Sequence, residues 1–248
     1  MPNLTARWPL GLTPKNWPNY VTVLVAVLFV LMFFDAYVSQ SLMAWPDVWR
    51  APFYFVTDFG LSDWVLIPSL IVMVLALIGR FVLPAGYYRR ASWELTMLAG
   101  FIFVGVGAPG LLVNGLKRLF GRGRPAEFLE HGAFAFQRIL NDSTFQSFPS
   151  GHATTAMATA LVVGFLVPKF FRLFLLIAVM TGFSRIVIGM HYPTDVVAGF
   201  ALGCIGAYAV RNVFAARRWL FARLPDGTIR FRGVPNLRRL WRLVTQRA

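Results

Sequence analysis

Polar positions along the chain are confined to short connections between long apolar runs. A bilayer core about 30 Å thick needs roughly 20 apolar residues per spanning helix. Runs that meet or approach this length lie at about 21–38, 61–83, 93–116, 153–167, 171–188 and 194–213. The pattern predicts an all-α protein with about six transmembrane helices. The fourth run is short, and only Pro168, Lys169 and a few neighbours separate it from the fifth, so a tight turn joins the two. The first run exceeds a signal-peptide apolar core and no small-residue cleavage site precedes Asp35, so it reads as a retained helix.

Composition agrees with lipid as the main solvent: 57% of the 248 residues are hydrophobic, 14% are charged, and the mean hydropathy is +0.62. Soluble single-core folds carry nearly a quarter charged residues and are excluded. A formal charge of +14 suggests nucleic acid only when it forms one soluble face. Here the cations sit between apolar runs, and no nucleic-acid partner is expected. Basic connections are held in the cytoplasm. Arg7 and Lys15, then Arg80, Arg89 and Arg90, then Lys169 and Arg172, and finally the tail from Arg211 to Arg247 all share that side if both termini are cytoplasmic. The chain divides into a membrane domain, 1–213, and a basic cytoplasmic tail, 214–248. In the tail, Leu237, Leu240, Trp241 and Val244 recur at helical spacing among arginines, a pattern suited to a helix lying on anionic inner-leaflet lipids.

One connection breaks the rule. Lys117, Arg118, Arg122, Arg124 and Arg138 fall on the outer side, and an anion-binding role accounts for them. Lys117 to Pro125 follows the third run, Pro149–Ser150–Gly151–His152 opens the fourth, and Ser184–Arg185 with His191 and Asp195 bracket the turn from the fifth to the sixth. The ends of runs three and five and the starts of four and six share one membrane face, so these stretches converge. Lys117, Arg124 and Arg185 are fixed cations suited to phosphoryl oxygens. Ser150 and Gly151 begin a helix, where free amides and the dipole add donors. Asp195, following Pro193 at a helix start, is expected to reach back to a ring nitrogen of His191. An imidazole so oriented is a nucleophile or base, which leaves His152 as general acid. Taken singly, each set has an ordinary reading: a snorkelling basic flank, a helix-start signal, a structural ion pair. Three anion-directed sets on one face favour the joint reading.

The pattern of Lys117 with Arg124–Pro125, Pro149–Ser150–Gly151–His152, and Ser184–Arg185 with His191 and Asp195 resembles the three-part signature of the type 2 phosphatidic acid phosphatase family, over about residues 117–195. The resemblance implies a metal-independent, cofactor-free lipid phosphatase with a phosphohistidine intermediate, on a helical core shared with acid phosphatases and vanadium haloperoxidases. It implies His191 as nucleophile, Asp195 as its orienting partner, His152 as acid, and Lys117, Arg124, Ser150, Gly151 and Arg185 as phosphate ligands. Arg118, Arg122 and the loop 145–148 are similar, in short patterns, to bacterial lipid A phosphatases.

The substrate classes left open are phosphatidic acid, phosphatidylglycerophosphate, undecaprenyl diphosphate and lipid A 1-phosphate, met at the outer face of an inner membrane. An anion or lipid transporter would place its charges nearer mid-membrane, and a haloperoxidase needs no six spans. His131 matches no motif position and is expected in an exposed loop. Arg118, Arg122 and Arg138 are divided between a second phosphate contact and lipid headgroups. Cys204, the single cysteine, lies within an apolar run as a small packed side chain.

Overall fold

The computed structural model describes residues 3–132, 135–137 and 142–245, without the side chains of His131 and Val244. Arg138 and Arg247 lie outside the described residues. The chain folds into helices α1 (Trp17–Met32), α2 (Asp35–Met43), α3 (Asp47–Val56), α4 (Asp63–Val82), α5 (Tyr87–Phe120), α6 (Phe128–His131), α7 (Gly151–Leu166), α8 (Phe171–Val187) and α9 (Pro193–Ala216). A hairpin of β1 (Phe221–Arg223) and β2 (Ile229–Phe231) and helix α10 (Pro235–Thr245) follow.

Four stretches are long and apolar enough to cross a membrane: Asp47–Val82, Tyr87–Phe120, Pro168–Val187 and Pro193–Ala216. The expected six runs differ at two places. The first run is not one straight helix: α1 and α2 meet at 54°, and counting the pair as one span gives five. The bend begins where Asp35, a carboxylate that apolar surroundings would penalise, turns toward Arg122 and Thr194. The other exception, α7, has 16 residues, about 24 Å of helix, short of a hydrocarbon core. It is nonetheless the central helix, packed against α5, α8 and α9 and buried along most of its length.

Close approach of α9 to α7 depends on two glycines a helical turn apart. A Cβ on Gly199 would lie 2.5 Å from the Ser150 carbonyl oxygen, and one on Gly203 would lie 2.5 Å from that of Thr154. Small residues at such spacing let membrane helices bring their backbones together. The Thr154 hydroxyl seals the contact by donating to the Gly199 carbonyl at 3.0 Å. The turn Ser150–His152 is thereby docked on α9.

At the opposite end, Arg211 on α9 is 1% exposed. Sequence reading counts it among the cytoplasmic tail cations; its guanidinium instead clasps the N-terminal segment. It donates to the carbonyls of Leu4, Ala6 (2.6 Å) and Arg7 (3.0 Å), and stacks near Phe165 and Tyr208. Ile229 of the hairpin donates to the Thr5 carbonyl at 2.7 Å. Phe221, Ile229 and Val234 sink into the main apolar core with Phe101, Phe165 and Tyr208. Both ends of the described chain thus lie on the face away from the site. α10 packs across the start of α5, where Glu94 accepts from Asn236 Nδ2 (2.6 Å) and from the Leu237 amide (3.0 Å).

Candidate active site

Convergence of the three motifs is realised at one end of the bundle. Lys117 lies in the last turn of α5, and its Nζ comes within 3.4 Å of where a Cβ on Gly151 would sit. Ser150 is the N-cap of α7 and is fully buried; its Oγ accepts weakly from the Ala153 amide, at 3.4 Å. The hydroxyl proton stays available to an anion, as do the first-turn amides of α7. Arg185, 5% exposed in the last turn of α8, is held by Nη1 donating to Thr57 Oγ1 at 2.8 Å.

The segment after α5 is held by backbone pairing with Ala135, Gln137, Thr144 and Ser147. Gly123 N donates to Ala135 O (2.9 Å), Arg124 N to Thr144 O (2.9 Å) and Ser147 N to Arg122 O (3.0 Å). Arg122 and Arg124 thereby point to different places. Arg124 reaches the cation cluster, with Nη1 3.2 Å from the Met190 sulfur. Arg122, expected to face either phosphate or headgroups, does neither. It is 5% exposed; Nη1 donates to Asp195 Oδ1 and Thr194 Oγ1, each at 2.7 Å, and Nη2 to Asp35 Oδ2 at 2.8 Å. Arg118 lies exposed in the last turn of α5.

His191 sits in the α8–α9 connection and is 1% exposed. The expected direct bond from Asp195 is not made: Asp195 Oδ2 is 3.7 Å from His191 Nδ1. At the third position of α9, this carboxylate oxygen instead accepts from the Tyr192 amide at 2.8 Å and from the Ser147 hydroxyl. His191 Nδ1 lies 2.7 Å from the Ser147 carbonyl oxygen. A carbonyl only accepts, so Nδ1 carries the proton and Nε2 bears the free lone pair. Asp195 therefore acts on the imidazole by its nearby charge and by fixing Ser147. Nε2 is buried without a hydrogen-bond partner among the described residues. Burial, then the charges of Lys117, Arg185 and Arg124, hold the ring well below the usual histidine range, so it is neutral at physiological pH.

His152, in the first turn of α7, packs on Gly60: a Cβ there would lie 2.7 Å from His152 Cβ. His152, Lys117 and Gly151 line a cleft of about 610 Å³ that continues along Leu66, Phe103, Val106 and Leu111 between α4 and α5. The cleft joins a cationic end to an apolar wall. His191 does not line it.

Sequence reasoning missed Ser147, Thr57 and Thr194, which act through tertiary contacts, and the pairing role of Asp35. The signal for Asp35 was a carboxylate inside an apolar run, which demands a partner. The backbone of His131 ends α6. Cys204 is half-buried. Among the described residues no group of three or more His, Cys, Asp or Glu side chains is placed to hold a metal ion.

Comparison with known proteins gives one consistent answer. The family model of the PAP2 superfamily matches residues 98–219. The chain is 33% identical over 229 residues to a lipid A 1-phosphatase of Rhizobium johnstonii, covering 91% of this chain and 93% of that one. It is 31% identical over 168 residues to phosphatidylglycerophosphatase B of Bacillus subtilis, covering 63% of this chain and 71% of that one. The crystal structure of a transmembrane PAP2 type phosphatidylglycerolphosphate phosphatase from Bacillus subtilis shares the fold, with a TM-score of 0.53 at 22% identity over 79% of this chain and 96% of that chain.

Proposed function

The chain belongs to the PAP2 superfamily of lipid phosphatases, and from that premise we propose that it removes the phosphate of a lipid A-type 1-phosphate through a phosphohistidine on His191. The observation that carries this reading is the state of the His191 ring: Nδ1–H is committed to a carbonyl, while Nε2 is free and under the field of three cations. Nε2 attacks phosphorus, the bond from phosphorus to the lipid oxygen breaks, and His152 gives that oxygen its proton. Water, giving a proton to the now neutral His152, then attacks phosphorus, and the bond from phosphorus to Nε2 breaks, releasing inorganic phosphate and restoring both imidazoles. Lys117, Arg124, Arg185, the Ser150 hydroxyl and the amides from Gly151 onward hold the non-bridging oxygens, whose charge grows in the transition state. Burial, then the neighbouring charges of Arg185, Lys117 and Arg124, push His152 down to about 3, and a bound phosphate offsets those cations, favouring its protonated form in the complex. The charge-stabilising task falls to fixed cations, so the reaction proceeds without a divalent metal.

A phosphorylated lipid brings its head to Lys117 and His152 along the cleft, its chains remaining beside Phe103 and Leu111 in the bilayer. The relative matching nearly the whole chain is named for lipid A, which favours a saccharide lipid over a prenyl diphosphate or glycerophospholipid. Orientation follows from charge. Lys169, Arg172, Arg80, Arg89 and Arg90 lie at the end away from the site, which supports the reading of both termini in the cytoplasm and the site at the outer face. α10 presents Arg238, Arg239, Arg242 and a Trp241 that is 70% exposed to the anionic inner leaflet.

The test is phosphate release, in detergent with excess EDTA, from lipid A 1-phosphate, phosphatidylglycerophosphate, undecaprenyl diphosphate and phosphatidic acid side by side. Fastest release from lipid A 1-phosphate is expected. A second lipid turned over about tenfold faster would move the substrate assignment. Activity lost to EDTA and restored by a divalent ion would overturn the metal-free mechanism.

A further inference from the structure

The least expected feature of the site is a buried ionic triad reaching it from outside the family-matched region. Asp35 is fully buried at the start of α2, far in sequence from residues 98–219. Its Oδ1 accepts from the Thr194 amide at 3.0 Å; its Oδ2 accepts from the Thr194 hydroxyl and from Arg122 Nη2 at 2.8 Å. The amide and the guanidinium can only donate, so the ionised carboxylate satisfies all three contacts. The guanidinium, 4.2 Å above the Tyr192 ring, shares its other nitrogen with Asp195 and Thr194.

We propose that Asp35 is a positioning residue for the reaction, acting through Arg122 on Asp195 and so on the charge and orientation of His191. Two carboxylates flank one guanidinium, which leaves the triad one negative charge beside the imidazole. Without Asp35, Arg122 would neutralise Asp195, the group that best stabilises the positive ring formed when Nε2 bonds phosphorus. The triad also fixes geometry: Asp195 holds the Ser147 hydroxyl, and the Ser147 carbonyl holds Nδ1–H. The first membrane segment thus completes the site, with the 54° bend between α1 and α2 beginning just before Asp35. In its catalytic consequence the inference rests on the phosphohistidine reading; in its electrostatic consequence it does not.

The charged and titratable groups facing His191 are Lys117 from α5, Arg124 from the following loop, His152 from α7, Arg185 from α8 and Asp195 from α9. Among these groups Asp195, 3.7 Å from Nδ1, is the one that opposes the cations, so its effective charge bears on how readily the ring takes a proton. The experiment titrates His191 directly by NMR of histidine-labelled protein in detergent, assigned with a His191→Gln variant. It compares wild type, Asp35→Asn, Arg122→Gln and the double variant, alongside kcat and KM against pH.

Asp35→Asn leaves the triad neutral, so the His191 titration moves down by about one pH unit. Arg122→Gln leaves two negative charges and moves it up. The double variant restores a single negative charge and returns it near wild type. With lipid phosphate, kcat falls in Asp35→Asn while KM stays within about threefold.

Shifts of the same sign in both single variants, or a double variant displaced from wild type, would overturn the proposal, because a packing role predicts lost stability without opposed titrations. If Asp35→Asn does not fold, Arg122→Gln decides alone: an upward shift supports the triad, and an unmoved titration refutes it. A wild type that never carries phosphate on His191 would refute the preceding reading while leaving these titrations to judge the triad.

Discussion

At the level of single residues, the two imidazoles are assigned different work, and the difference is measurable. His191→Ala removes the attacking atom and is expected to abolish phosphorylation. His152→Ala removes proton donation, typically worth about 10²–10⁴-fold, and a nitrophenyl phosphate, whose leaving group needs little protonation, should partly rescue its initial burst. Rescue in the His191 variant instead would reverse the roles. Burial and the Lys117, Arg185 and Arg124 charges hold His191 below its ordinary value of 6.5. The ring therefore stays neutral as pH falls through that value, and the acid limb of kcat/KM should lie below pH 6.5. A limb above it would mean that the cations do not act on this ring. Gly60→Ala places a Cβ 2.7 Å from His152 Cβ and Thr181 Cγ2, neither of them a flexible tip. It should cut kcat more than tenfold with the fold retained, and unchanged kcat would show that His152 has room to move. The motif residues were legible in the sequence because each belongs to a short stretch of fixed spacing. Ser147 and Thr57 were not, since a serine or threonine in a loop says nothing about which distant arginine or carboxylate it meets.

Among the elements, long apolar runs gave α4, α5, α8 and α9 within a few residues. Helix length is set by the bilayer, and a run of that length has no other stable use. The break between α1 and α2 was less legible, because no proline or glycine marks it; what marks it is Asp35, which lies inside the run read as 21–38. The hairpin β1–β2 escaped notice for the opposite reason: two three-residue strands in a basic stretch carry too little pattern to separate from a loop. Docking of α9 on α7 makes a direct prediction. Gly199→Ala sets a methyl 2.5 Å from the Ser150 carbonyl oxygen, a backbone atom that cannot swing away. It should displace the Ser150–His152 turn and lower both phosphate affinity and melting temperature; unaltered vanadate inhibition would argue that this turn does not hold the anion. Within the tail, Phe221 is 1% exposed and stacks edge-on against Phe101, whereas Trp241 is exposed. Phe221→Ala should therefore cost about 3–5 kcal/mol of stability. Trp241→Ala should leave melting unchanged and weaken only binding to anionic vesicles.

For the whole molecule, the bundle divides its labour between its two ends. One end gathers Lys117, Arg124, Arg185 and two imidazoles around the proposed anion site, open to the apolar flank of α4 and α5; the other ties the N-terminal segment, the hairpin and α10 together through Arg211 and Glu94. A cysteine introduced near Glu130 should react with a membrane-impermeant thiol reagent from outside, and one near Asp226 should not. The reverse pattern would place the site toward the cytoplasm. The central claim is that phosphate passes through His191, and the most direct measurement is chemical trapping. Protein in EDTA is mixed with radiolabelled lipid phosphate, quenched in denaturant and base, and the label is located by peptide mapping. Acid-labile, base-stable phosphate on the peptide holding His191, absent from His191→Ala, is the predicted result. Rapid turnover with no label on protein, or label that persists when His191 is replaced, would contradict the account.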